Sequence, residues 1–140
     1  MVGLSFLYGR SHATAKASAI HSELHPPSYA VDGVAETEWL LPNGIQGSLE
    51  VSYWRPRRAS AVRLRNAHNR HYNDRATRAF KLEIYDGNEL RASLEGEFQA
   101  FDSDPKWLTL SFPQARVSKV RFSVLSHFHA GGGLSELELR

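Results

Sequence analysis

The chain has 140 residues, 41% of them hydrophobic, and a formal charge of +2 at pH 7. That length suits one domain with a single sizeable core, and so small a charge argues against nucleic acid and against a membrane surface as partners. Cysteine is absent, which excludes a disulfide framework and thiolate chemistry, and no apolar run approaches the ~20 residues needed to span a bilayer.

Residues 1–14 read as an irregular N-terminal arm and residues 15–140 as one domain. The opening MVGLSFLYGR has a short apolar patch, a late Arg and no cleavage site, so it is not read as a secretory signal. It leaves the compartment open. Ala15 to His21 is small, apolar and β-compatible, and Pro26-Pro27 ends it. Tyr29 to Trp39 reads as a compact loop around the Asp32-Gly33 turn. Leu40 to Ile45 reads as a turn packed on the core. Ser48 to Trp54 alternates Leu49, Val51 and Tyr53 with Ser48, Glu50 and Ser52, the period of a half-buried strand. Arg55-Pro56-Arg57-Arg58 then reads as a solvated basic turn. Together with Arg63 and Arg65 it gives one sheet a basic side.

A strand over Ser60 to Asn66 turns Val62 and Leu64 inward and Arg63 and Arg65 outward. The next stretch is unlike the rest of the chain. From Asn66 to Arg78 there is almost no aliphatic side chain, no Gly and no Pro. Connections in compact domains are usually about 4–6 residues long, and a longer polar one between patterned strands is commonly functional. Phe80, Leu82 and Ile84 then alternate with Lys81, Glu83 and Tyr85. Asp86-Gly87 is a hairpin signal, with a return strand to about Leu94. Trp107 to Phe112, Val120 to Val124 and Leu134 to Leu139 alternate in the same way, the last after Gly131-Gly132-Gly133. About eight short strands without a long helical period define an all-β sandwich or barrel with antiparallel sheets.

Three constellations carry chemistry. Asp32-Gly33 with Thr37 offers hard oxygen ligands on a tight turn, and calcium takes six to eight such oxygens, carbonyls included. Glu136 is the distant carboxylate that could join them. The pairs His68-x-x-His71 and His127-x-His129 have spacings that zinc accepts, although loop histidines more often meet solvent or a ligand. No nucleophile elbow and no phosphate-cradling Gly loop is present, so catalysis is not expected.

In combination, A-x-D-G-x-x-x-T-x-W (residues 30–39), the polar Asn/Arg loop, F-x-L-E-I-Y-D-G (residues 80–87) and G-L-S-E (residues 133–136) resemble the discoidin family. This family is also called the coagulation factor V/VIII type C domain, within the galactose-binding-like fold. The resemblance runs from about Ala15 to Arg140. It implies an eight-stranded antiparallel jelly-roll β-sandwich. It also implies Asp32, Thr37 and Glu136 as ligands of a structural calcium ion, with Ala35 where many relatives carry Asp or Asn. By the same resemblance, the long loop and the loop before the last strand form a lectin-like glycan site. That nominates Asn66, His68, Asn69, Tyr72, Asp74 and Arg75, with His127, Phe128 and His129 opposite. The residue types suit the task, because Asn, Asp and Arg pair with sugar hydroxyls while an aromatic ring takes the C–H face. Two alternatives stand beside this glycan-binding module: a protein–protein interaction subunit, whose loop grips a partner chain, and a small calcium-dependent enzyme on a jelly-roll fold.

Overall fold

The computed structural model describes residues 13–140. The arm expected over residues 1–14 lies outside the described residues except for Ala13 and Thr14, which already begin strand β1. Strand β1 is Ala13–Ala17, β2 Trp39–Leu40, β3 Gly47–Asn66, β4 Arg75–Thr77, β5 Ala79–Asp86, β6 Glu89–Glu97, β7 Trp107–Val124, β8 His127–His129 and β9 Gly133–Leu139. Short 3-10 turns cover Pro27–Val31 and Arg70–Tyr72. Among the described residues, every strand pair is antiparallel.

The registers resolve into two layers. The first half of β3 lies between β1 and the second half of β7, and that half of β7 also pairs with β5, which pairs with β6. The second half of β3 lies between the first half of β7 and β9, and β9 meets β2 at Gly133 and Leu134. Both long strands therefore belong to both layers. This is the all-β antiparallel sandwich expected from the alternation.

Two expected breaks are absent. The basic stretch Arg55–Arg58 is not a turn between strands but the bend inside β3. Ser52 faces Lys119 and Arg57 faces Val117, so residues 53–56 stand opposite Ser118 alone. Farther on, Ala59 faces Ala115 and Ala61 faces Ser111, so residues 112–114 of β7 stand opposite Ser60 alone. These paired bulges fold the two-stranded ribbon over the end of the sandwich, as bulges bend strands elsewhere. Pro56 falls where no ladder hydrogen bond needs its missing N–H. For the same reason Trp107–Phe112 and Val120–Val124, read as separate strands, are one strand through Pro113.

The core sits between the layers. Leu49, Val51, Phe80, Leu82, Ile84, Val120, Phe122 and Val124 enter from one side. Val62, Leu64, Phe112, Leu134, Leu137 and Leu139 enter from the other, with Trp39 fully buried at the rim. Phe80 lies against Phe98 and Phe122 at ring separations of 5.4 and 5.3 Å. Its cross-strand partner is Gly96, where a Cβ would come within 2.8 Å of the ring. The β5–β6 hairpin turns at Gly87, whose φ of +60° favours glycine. Leu40 and Leu41 are fully buried while Asn43, Gly44 and Ile45 are exposed, so the turn packs on the core through its two leucines. Among the described residues, no helix is long and apolar enough to cross a membrane.

Candidate functional site

Because β3 doubles back, Gly47 and Asn66 lie at the same end of the sandwich, as do Trp107 and Val124 of β7. The long polar loop and the loop before β9 rise from this end and form its crest. Their base is closed by two buried side chains. Asn66 accepts hydrogen bonds from the N–H of Ala67 (2.9 Å) and of Thr77 (3.0 Å) through Oδ1, and its Nδ2 donates to the Thr77 carbonyl (2.8 Å). The Thr77 hydroxyl donates to the Gly133 carbonyl at 2.6 Å and accepts the Gly133 N–H at 3.1 Å. Above this base, β4 pairs with β8, with Arg75, Ala76 and Thr77 opposite His129, Phe128 and His127. The two loops nominated from the sequence are thus one hydrogen-bonded unit.

Arg75 ties further loops to this unit. It is only 2% exposed. It donates to Asp74 Oδ1 (3.1 Å), the Leu41 carbonyl (2.9 Å) and Asn43 Oδ1 (2.7 Å), and its Nη1 is 3.5 Å from His21 Nδ1. Burial pushes the Asp74 carboxyl up. The hydrogen bonds from Arg75 and Asn69 and the Arg75 charge outweigh that and hold it below the usual range. Glu38, which the sequence reading missed, anchors the loop from beneath. It is 2% exposed, and its Oε2 accepts the N–H groups of His68 (2.8 Å) and Asn69 (3.3 Å). The Glu38 carbonyl is 3.1 Å from His25 Nδ1. Burial holds the His25 imidazole below its ordinary value, although that carbonyl pulls the other way.

Two further observations single out the crest. Among the described residues, the non-glycine residues with positive φ are Asn69, Arg70, Asn73 and His129, all on these two loops. Such conformations cost energy and gather at working sites. The buried side-chain oxygens without a hydrogen-bond partner, Glu38 Oε1 and Asn69 Oδ1, lie in the same unit. Native interiors leave few acceptors in that condition.

The outward surface differs from the nominated set. Asn66 and Asn69 are turned inward and engaged with the loop itself, and Arg75 is turned inward onto Leu41 and Asn43. Tyr72 is 60% exposed, with its ring 4.2 Å from that of His71. Arg70 and Asn73 are exposed beside it, and His68 Nδ1 is 2.9 Å from Asn73 Oδ1. Opposite, His129 meets Phe101 edge-on at 4.9 Å, His127 Nδ1 is 3.1 Å from the His129 carbonyl, and Phe128 lies half-buried under Arg78. His21, His25, Glu38 and Asn43 were not foreseen. For Glu38 a signal existed: a carboxylate directly before the apolar run Trp39-Leu40-Leu41 that is drawn into the core must find donors.

The expected metal ligands do meet. Thr37 donates its hydroxyl to Asp32 Oδ2 at 2.5 Å, Asp32 Oδ1 accepts the Val34 N–H at 2.9 Å, and Glu136 Oε1 accepts the Gly33 N–H at 3.0 Å. Glu136 is 3% exposed. Burial, and then the adjoining Asp32 carboxyl, push it up to about 10, so it holds a proton at neutral pH. Among the described residues, no group of three or more His, Cys, Asp or Glu gathers as a metal site. Two carboxylates, one hydroxyl and main-chain oxygens are what this turn offers.

Taken together, fold and crest define a galactose-binding-like β-sandwich that carries a stiffened polar platform at one end. No family model matches the chain, and no curated protein is similar to it in sequence. Solved structures share the fold. The family 32 carbohydrate-binding module of NanJ from Clostridium perfringens, solved with galactose, superposes with a TM-score of 0.76 at 17% identity, covering 93% of this chain and 94% of that one. An F5/8 type C domain from Bacteroides fragilis gives 0.70 at 16% identity, with 94% and 93% covered. Chitosan-binding module 2 of a chitosanase/glucanase from Paenibacillus sp. IK-5, in complex with chitotriose, gives 0.69 at 20% identity, with 91% and 95% covered.

Proposed function

We propose that this protein is a non-catalytic, lectin-like carbohydrate-binding module that holds a glycan on the crest. The observation that carries this reading is the gathering, among the described residues, of the positive-φ non-glycine residues on two loops welded together by β4 and β8, with the partnerless buried oxygens on one of those loops and on Glu38 beneath it. A connection that only joined strands would not retain such costs. Tyr72, backed by His71, supplies a ring for a sugar's C–H face. Arg70, Asn73, Asp74 and His68 supply donors and acceptors for hydroxyl pairs. Asn66, Asn69, Arg75 and Glu38 position that surface from beneath. Galactose and chitotriose in the structural neighbours agree with a sugar as ligand. The test is a glycan array of galactosides and chitooligosaccharides, followed by titration. Tyr72→Ala and His71→Ala, both exposed and outside the positive-φ positions, should weaken binding at least ~10-fold while the melting temperature holds. No bound glycan on the array, or full binding by both variants, refutes the reading.

A structural calcium ion belongs to the same proposal. Asp32 and Glu136 would hold it, with Thr37 contributing its hydroxyl oxygen. A buried carboxyl beside a second carboxyl needs either a proton or a cation, and the oxygen-only donor set suits a hard one. When bound, the ion supplies charge neutralisation, and the side chains fix the turn over residues 32–37 against β9.

A further inference from the structure

A third loop, residues 98–106 between β6 and β7, is fixed to the base of the crest at both ends. Phe98 donates its N–H to the carbonyl of Arg78, the residue after β4, at 2.8 Å. Trp107, which opens β7, stands opposite Arg65, the neighbour of Asn66. Between these ends Phe101 meets His129 of the crest edge-on at 4.9 Å. The loop is tied within itself: the Asp104 N–H donates to Asp102 Oδ1 at 2.8 Å, and Lys106 Nζ donates to the Asp104 carbonyl at 2.7 Å. Asp104 also lies 3.5 Å from Arg65. Between this loop and the base of the crest is a hollow of about 200 Å³. Asn66 forms part of its wall, Phe98 and Pro105 give it buried apolar surface, and Trp107 adds an indole that is 38% exposed. The Arg63 guanidinium lies over the Trp107 ring, 4.2 Å from its centroid, and braces it. Asn66 spends its polar atoms on Ala67 and Thr77. Glu97 and Gln99, in the same wall, are exposed, and among the described residues neither side chain has a hydrogen-bonding or ionic partner.

We propose that this hollow is a second sugar position, joined to the crest through Phe101 and His129, so that the ligand is an oligosaccharide of uncharged sugars rather than a single terminal one. This inference rests on the crest being a glycan site. Apolar walls with a few unspent polar groups are the make-up of a small-molecule site, and a hollow smaller than the ~300–1,000 Å³ of drug-sized pockets suits one pyranose ring. The braced indole and Phe98 take the C–H groups of that ring. Glu97 offers acceptors and Gln99 both an acceptor and donors to its hydroxyls. An acidic sugar would meet the Glu97 carboxylate with no free cation in the wall, since Lys106 is held by Asp104.

The test uses the full chain, isotope-labelled and followed by NMR. It is titrated with galactose and β-1,4-galactotriose, and with N-acetylglucosamine and its β-1,4-linked trimer. In the pair that binds, both sugars should shift the amides of residues 70–73 on the crest. Only the trimer should also shift the Trp107 indole N–H and the Gln99 side-chain amide. Trp107→Ala should weaken the trimer by about 5–10-fold and leave the single sugar unchanged. Gln99→Ala should weaken the trimer at least ~3-fold. Because Gln99 is exposed and without a partner, that variant should keep the wild-type melting temperature, which separates a lost contact from a lost fold. Crest shifts from the trimer with the Trp107 and Gln99 signals unmoved overturn this inference and leave the crest reading standing. So does trimer binding that neither variant weakens, or an equal loss of single sugar and trimer. No shift at the crest with any of the four sugars refutes the crest reading, and the second position falls with it.

Discussion

Replacing Glu136 with Gln should abolish a pH dependence of stability that the wild type owes to this one buried carboxyl. In the folded chain its pKa is pushed from 4.5 to about 10. The folded state therefore keeps a proton that the unfolded state has lost, and stability falls as pH rises from 4.5 towards 10. A full proton difference costs ~1.4 kcal/mol per pH step, so by pH 7 the wild type without divalent cation has lost about 3 kcal/mol at most. In a domain of this length that is a melting-temperature drop of roughly 10 °C. Gln keeps an acceptor for Gly33 and a donor for Asp32 but cannot ionise. The measurement is thermal unfolding from pH 5 to pH 9, in chelator and in millimolar calcium. The wild type in chelator should lose stability across that range, and the variant should stay level. Calcium should raise the wild-type melting temperature more at pH 8 than at pH 5, and should leave the variant unmoved. A variant that slopes like the wild type refutes the titration argument. An equal calcium shift in both proteins refutes Glu136 as a ligand.

Asn66→Ala strips three hydrogen bonds from the base of the long loop and leaves the N–H and C=O of Thr77 buried without them. The expected loss is about 2–4 kcal/mol in urea unfolding. Glu38→Ala uncovers the amides of His68 and Asn69 and should destabilise by about 2–3 kcal/mol, whereas Glu38→Gln, which keeps an acceptor, should lose less than half of that. Amide exchange at residues 68 and 69 should quicken in the first variant and little in the second. At Gly87 a valine has space but the wrong backbone, so Gly87→Val should cost at least about 1 kcal/mol.

The alternation of Leu49 with Val51, Val62 with Leu64, and Phe80 with Leu82 and Ile84 was enough to read the fold class, because burial of one face is a local signal. The continuity of β3 and β7 was not legible. Pro56 and the arginines around it look like a turn, and only the partner strand shows that the ladder resumes at Arg57. For the candidate site, the density of polar side chains after Asn66 marked the stretch that forms the crest in the structure. Direction was the part that failed to show. Asn66 and Asn69 spend their polar atoms on their own loop, as Asn often does, and Arg75 is consumed by Asp74, Leu41 and Asn43. Those partners lie up to 34 residues away in sequence. Glu38 lay in the stretch read as a loop around Asp32-Gly33 and His25 just before Pro26-Pro27, and their role arises only when the long loop closes over them.

The doubling of β3 and β7 through both layers also governs motion. Sliding one sheet past the other would have to stretch two continuous backbones, so the sandwich resists shear. The crest therefore keeps a fixed spacing between its side chains, and under the proposed function discrimination would come from matching that spacing rather than from enclosing the guest.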